Sequence, residues 1–187
     1  MKTPQRSPKW ECFWVESQTL HPLPKTRPIQ TPEGIGDRIR TAAFAKIQAL
    51  EGFRWAAHHF QEAPVSLRET WLGLAHAEHK HLNWLKKRMT DLGQRLEERP
   101  VSDRLWQSFH ACETAEAFAL FMAKAEERGR VAGERFCKTL HEIDPVSSRL
   151  FGQIALEENE HIETAVRYFP HHRKTIETLR SSASKSP

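Results

Sequence analysis

Apolar residues recur at three- and four-residue steps along four long segments, and charged residues fill the positions between them. This period follows one face of an α-helix and differs from the strict alternation of a strand. The four predicted helices cover about residues 37–60, 65–92 and 114–141, and a last segment from Pro145 onward. The longest connection, 94–113, contains Pro100 and a short predicted helix near 105–111. We therefore predict an all-α four-helix bundle with one long crossover between helices 2 and 3.

Several of these helix ends carry local signals in the sequence. Ser66 and Glu69 after Pro64 form the S-x-x-E pattern of a capping box, and Gly93 is a stop signal for the same helix. Pro145 suits the first position of the last helix. The short loop between the first two helices indicates that they are antiparallel neighbours.

The two ends of the chain differ from the middle. Residues 1–36 contain six prolines followed by Gly34 and Gly36, so we predict an arm without regular structure, which Trp10, Phe13 and Trp14 could anchor. Residues 180–187 are Ser-rich and basic and are predicted to form a flexible tail. The expected domain organisation is thus an arm over 1–36, one bundle over 37–179 and a tail over 180–187.

Composition agrees with one soluble helical domain. The chain has 187 residues, of which 39% are hydrophobic and 28% charged, a mixture typical of amphipathic helices. It contains no run of about 18 apolar residues and no basic, hydrophobic leader after Met1, so we expect neither membrane insertion nor secretion. Three widely spaced cysteines predict neither disulfides nor a thiolate site, and the cytoplasm is the expected compartment.

A net charge of +4 and a pI near 9.1 are compatible with a nucleic-acid partner. However, the basic residues are scattered, and much of the excess lies in the two tails. Binding to RNA is therefore only weakly supported, and the sequence does not indicate an oligomeric state.

The predicted chemistry comes from acidic residues inside the apolar stripes. Two helices carry an E-x-x-H motif, which places a carboxylate and an imidazole on the same helix face. Buried carboxylates are costly without a compensating cation, so their convergence implies a positive charge between the helices. The candidate metal ligands are Glu51, Glu78, His81, Glu126, Glu158 and His161.

Oxygen and imidazole donors without thiolates favour iron or manganese, and less specifically zinc or cobalt. Four carboxylates and two histidines supply enough donors for two neighbouring metal sites. We therefore expect two iron ions, with manganese or a mixed iron–manganese pair as alternatives. A single E-x-x-H motif is weak evidence, whereas two on different helices among Leu, Ile and Trp are stronger. The alternative is a bundle whose acidic stripes face water.

Helix faces distinguish these candidate ligands from the acidic and histidine residues next to them in the sequence. Glu126 lies in the apolar stripe, whereas Glu127 and Glu134 share a charged face with Arg130. Gln48 precedes Glu51 by about one turn and is a candidate hydrogen-bond partner for it. The other neighbours predicted to lie outside the site are His76, His79, Glu157 and Glu160.

Five short segments stand out together: IQALE at 47–51, AEHKH at 77–81, EERG at 126–129, ENEH at 158–161 and RYF at 167–169. Through these segments, over about residues 27–169, the chain resembles the uncharacterised DUF455 family, within the ferritin-like superfamily that includes rubrerythrins and diiron tRNA hydroxylases. This resemblance implies a ferritin-like four-helix bundle. The resemblance implies metal ligands at the same six positions. The chain departs from the family pattern at Phe44 and Lys46, where a His and a Glu are expected.

These features predict a diiron oxidoreductase that activates dioxygen or peroxide, with no catalytic residue beyond the metal ligands. No rubredoxin-like cysteine site is present in the sequence, so a separate electron donor is expected. The alternatives are a metal-handling or storage protein, or a bundle with a vestigial site. The substrate is not indicated. Trp55, Trp71 and Trp84 could line a pocket, and Tyr168 could hydrogen-bond near the site, but aromatic residues at helical spacing more often belong to the core.

Overall fold

The computed structural model describes residues 10, 12–16 and 23–183, and helices dominate this part of the chain. The six α-helices are α1 (Pro32–His59), α2 (Val65–Asp91), α3 (Arg104–Phe109), α4 (Ala115–Leu140), α5 (Pro145–Tyr168) and α6 (Arg173–Ala183). Short 3₁₀ turns occupy Leu96–Glu98 and Pro170–His172. The described residues form no β-strand, which confirms the all-α prediction. None of their helices is long and apolar enough to span a membrane.

Side chains cap three of the four long helices. The hydroxyls of Thr31 and Thr114 accept hydrogen bonds from backbone amides in the first turns of α1 and α4. Asp144 accepts from the amide of Ser147 at the start of α5. These bonds satisfy amides that have no partner inside the helix, and they explain why α4 and α5 begin close to the predicted positions.

The capping box predicted for α2 is wrong. The helix begins at Val65, so Ser66 already lies inside the first turn, and Pro64 at the cap position makes no side-chain hydrogen bond. The predicted end of α2 is confirmed, because Gly93 adopts a left-handed conformation with φ of 66° just beyond it.

Helices extend beyond both ends of the segment predicted to form the bundle. Helix α1 begins at Pro32 and not near residue 37, because Thr31 caps it and Pro32 fits its first turn. Gly34 lets the backbone of the preceding segment pack against α1, since a Cβ there would lie 1.8 Å from the carbonyl oxygen of Pro28. At the other end, 180–183 belong to α6, which buries Ile176 in the core. The parts of the predicted arm and tail at 1–9, 11, 17–22 and 184–187 lie outside the described residues.

The long helices pack as two hairpins, α1 with α2 and α4 with α5. Gly133 allows α4 and α5 to approach closely, because a Cβ there would lie 3.2 Å from the Cβ of Ala155. The hairpins meet through two apolar clusters, one around Trp71 and Phe118 and the other around Leu85. Buried polar side chains lie between these clusters along the helices, and they form the candidate site.

Part of the N-terminal arm docks on α1 and α3. The ring centroids of Trp10 and Phe13 lie 5.4 and 4.9 Å from that of Phe44, and Trp10 also contacts Trp106. Trp14 is instead 48% exposed, so it does not anchor the arm. Phe44, one of the departures from the family pattern, thus contacts the arm.

Candidate metal centre

Four of the predicted ligands converge between the two hairpins. One donor atom from each of Glu78, Glu126, Glu158 and His161 lies within 4.8 Å of the other three. All four side chains are buried, and they come from α2, α4 and α5. The apolar stripes that predicted them therefore do face a common centre.

Helix α1 contributes a lysine to the same centre. The Lys46 Nζ atom lies 3.1 Å from Glu78 Oε2 and 3.4 Å from Glu126 Oε2, and it also contacts Glu158 Oε1. Burial disfavours the charged ammonium, but the three carboxylates outweigh this effect and raise the pKa of Lys46 well above its usual value. Lys46 is thus a buried cation among the predicted ligands.

Two of the carboxyl groups respond to this environment in opposite directions. Burial and the negative charge of Glu126 raise the pKa of Glu158 well above its usual value. Burial also opposes ionisation of Glu126, but the Lys46 charge and a hydrogen bond from Glu158 outweigh it and lower the pKa of Glu126 to about 2. The Lys46 charge thus favours ionisation of Glu126, whereas burial favours the protonated form of Glu158.

His81 lies at the edge of the cluster and is oriented by a residue that the sequence analysis placed outside it. Its Nδ1 atom is 3.9 Å from Glu78 Oε1 and 3.8 Å from Glu158 Oε1. Its Nε2 atom lies 2.7 Å from Glu157 Oε2. Burial and the Lys46 charge lower the pKa of His81, so we infer a neutral ring that donates Nε2–H to Glu157 and directs the Nδ1 lone pair inward.

The donor atoms fit a metal ion better than they fit one another. Both carboxylate oxygens of Glu78, the Oε2 atom of Glu158 and the Nδ1 atoms of His81 and His161 are buried without a hydrogen-bond partner among the described residues. Lys46 Nζ lies 3.1 Å from Glu78 Oε2, and His161 Nδ1 lies 2.9 Å from Glu78 Oε1, but neither contact has hydrogen-bond geometry. Buried polar atoms are normally paired, and carboxylate oxygens with neutral imidazoles are the donors that iron and manganese take.

Comparison with known proteins places the chain in a family without assigning it a function. The family model described as Protein of unknown function (DUF455) matches residues 1–182 of the 187. The chain belongs to the DUF455 family. Neither the curated proteins nor the solved structures contain a match to it.

The structure of this DUF455 chain does not bring Glu51 into the cluster. The Glu51 side chain is 31% exposed, and its carboxylate lies 3.1 Å from Arg54 Nη1. Glu51 follows Lys46 by five residues, which rotates it by about 140° around the helix axis. Gln48 also has a different role from the predicted one, since its Oε1 atom accepts a hydrogen bond from the Trp106 amide and fixes α3 to α1.

One neighbouring acid was assigned to the wrong environment. Glu127 is 3% exposed and does not face solvent as predicted, because both of its carboxylate oxygens accept hydrogen bonds from Arg130 at 2.7 Å. Arg180 from α6, a helix that the sequence analysis did not predict, approaches the same carboxylate. His76, His79 and Glu160, which were predicted to lie outside the site, are exposed.

None of the aromatic residues considered for a pocket or the site contributes donor atoms to this cluster. Trp71 is buried in the apolar core, and Trp55 stacks on His59 with centroids 4.4 Å apart. The ring centroids of Trp84 and His81 are 5.5 Å apart, and the Tyr168 hydroxyl forms a hydrogen bond with the Thr70 hydroxyl.

Proposed function

We propose that this DUF455 protein is a ferritin-like, metal-dependent oxidoreductase. The observation that carries this proposal is the convergence of Glu78, Glu126, Glu158 and His161 within 4.8 Å, with several donor atoms that lack a hydrogen-bond partner among the described residues. Iron or manganese suits these donors, and a bound ion of this kind would supply electron transfer to dioxygen or peroxide. Electrons would come from a separate protein, because the sequence has no cysteine-rich site of its own.

The charges of the site bear on how many ions it holds. Three carboxylates face one lysine, so with neutral histidines and full ionisation the cluster carries two negative charges. One divalent ion neutralises that charge. Binding of two iron ions asks more of the site than binding of one. Glu51 lies outside the cluster, and the Lys46 ammonium would have to move away to make room for a second ion. Metal analysis therefore distinguishes a site for one ion per chain from a site for two.

The protein's own residues define the surroundings of such an ion. Lys46 places an ammonium beside three carboxylates, where it can donate hydrogen bonds to an anion bound at the centre. Glu157 holds the His81 ring in one orientation, and the two apolar clusters flank the site along the helices. These residues position the donor atoms, while the redox chemistry would belong to the metal.

The first test compares Glu126→Gln with Glu134→Gln, both on α4. We expect the first substitution to weaken metal binding by at least about tenfold, because it removes one anionic donor from the cluster. The second should have no effect, because Glu134 is exposed and pairs with Arg130. Metal content by mass spectrometry after growth with iron or manganese, together with titration calorimetry, measures both effects. Wild-type protein that retains no transition metal under these conditions would refute the proposal.

A second test addresses the orientation of His81. Glu157→Gln removes the anionic acceptor of the Nε2 proton, and loss of such a partner typically weakens metal binding by about 10- to 100-fold. Glu160→Gln is the matched control, since this acid is exposed on the same helix. Equal metal affinities in both variants would show that the Glu157 contact does not serve the metal site.

Two other functions predict different experimental outcomes. A metal-handling protein would retain the ion but consume no dioxygen beyond that needed to oxidise it. A bundle with a vestigial site is favoured by Lys46, which already supplies a cation, and it would retain no metal. Substrate-dependent oxygen consumption by metal-loaded protein distinguishes the oxidoreductase from both.

A further inference from the structure

A cavity of about 610 Å³ lies between α1 and α4, which make few direct contacts. Its size is within the range of binding sites for small organic molecules, whereas protein interiors usually leave few voids larger than a water molecule. Small residues on both helices create the space, including Ala42 and Ala45 on α1 and Gly129 and Ala132 on α4. A Cβ at Gly129 would meet no atom within 4 Å, so this glycine is not required by a close helix contact.

The cavity connects the candidate metal centre to the protein surface. Lys46, Glu126 and Glu158 of the candidate centre line this cavity. Arg38 and Arg135 also line it, and the helical rise places them about two turns from Lys46 and Glu126, at the opposite end. Arg38 precedes Lys46 by eight residues on α1, which corresponds to about 12 Å along the helix axis. The walls between the two ends are mainly aliphatic and aromatic, so the cavity is an elongated apolar passage with charged groups at each end.

The two arginines at the outer end have no carboxylate partner among the described residues. Arg38 donates through Nη1 to the backbone carbonyl oxygens of Arg27 and Gly34, which do not neutralise its charge. Arg135 is exposed and makes no ion pair with any residue that the structure describes. A guanidinium group binds carboxylates well, often through two parallel hydrogen bonds. The outer end is therefore suited to an anionic head group.

We propose that this cavity binds an unbranched acyl chain that ends in a carboxylate. The carboxylate pairs with Arg38 and Arg135, the chain lies along Ala42, Ala45 and Ala132, and its far end approaches the Glu126 side of the metal centre. Burial of the chain supplies most of the affinity, and the arginines set the direction in which it enters. The binding site follows from the cavity alone, whereas the role of the acid as substrate rests on the proposed function.

Calorimetric titration of the full chain with decanoate, below its micelle concentration and in the presence of chelator, tests the binding site without any metal. We expect saturable binding that weakens at least about tenfold for the neutral analogue decanol, since the charge pairing is lost. The double variant Arg38→Gln/Arg135→Gln should lose affinity for decanoate to a similar extent. Arg128→Gln is the matched control, because Arg128 is exposed on α4 and does not line the cavity.

Filling the cavity provides an independent test. Ala132→Phe places a ring in the passage and should abolish binding, and Ala45→Leu serves the same purpose if the first variant fails to fold. Thermal unfolding of each variant confirms that it is folded. Absence of saturable decanoate binding to wild-type protein, equal affinity for decanol, or unchanged binding by a folded cavity-filled variant would each overturn the proposal. Since no metal is present, failure of the metal proposal leaves these results interpretable.

Discussion

Replacing Lys46 with methionine should cost the metal-free protein about 3–5 kcal/mol of unfolding free energy, the usual effect of removing one partner from a buried ion pair. Methionine keeps much of the side-chain volume but leaves Glu78, Glu126 and Glu158 without their cation. Urea unfolding in the presence of chelator measures the loss. Lys86→Met is the control, because Lys86 is exposed on α2, and it should change stability little.

The same variant also tests the metal proposal. A divalent ion that binds only the folded state stabilises it by mass action, and it would replace the missing ammonium in the Lys46→Met protein. Manganese should therefore raise the melting temperature of this variant more than that of the wild type. If Lys46→Met and wild type are equally stable in chelator, Lys46 is not what balances the buried acids.

Asp37→Asn should destabilise the protein by a similar amount, about 3–5 kcal/mol near neutral pH. The Asp37 carboxylate is 4% exposed and forms ion pairs with Arg27, Arg40 and Arg99 at 2.7, 2.9 and 3.4 Å. Arg40 is 2% exposed, so the substitution leaves a buried guanidinium without its closest carboxylate. Asp91→Asn is the matched control, because Asp91 is exposed and pairs with the exposed Lys87.

The Asp37 contribution should depend on pH in a defined direction. Burial opposes ionisation of Asp37, but hydrogen bonds from Arg27 and the charge of Arg99 outweigh it and lower the pKa below the usual value. A carboxyl group with a depressed pKa stabilises the folded state above its unfolded pKa of about 4, and the contribution is lost as pH falls through the folded pKa. The stability difference between wild type and Asp37→Asn should therefore shrink on acidification. A difference that stays constant down to about pH 2 would contradict this role for Asp37.

The sequence was most informative where a helical period and a charge coincided. Glu78, Glu158 and His161 could be placed at a common centre because each lies in line with buried apolar residues on its own helix. Periodicity also located the long helices, since each must bury one face. Glu51 fitted the same pattern but lies beside Arg54, because a helix can bury part of a wide apolar stripe and expose its margin.

Other features of the site depended on contacts between distant segments. Lys46 could not be assigned from its own helix, because a lysine is usually exposed and only the three carboxylates from other helices explain its burial. Glu157 likewise acts through His81 on α2. Helix α6 is short and was too polar to be recognised from periodicity, yet it covers Glu127 with Arg180.

The division into two hairpins has a consequence for the order of folding. Contacts within α1–α2 and within α4–α5 are close in sequence, so each hairpin can form rapidly, while their association must close the long connection through α3. Lys46 and Glu78 belong to the first hairpin, and Glu126 and Glu158 to the second. The attraction between Lys46 and the two acids of the other hairpin favours the native register when the halves meet. The centre that would bind the metal is therefore completed only in the last step of assembly.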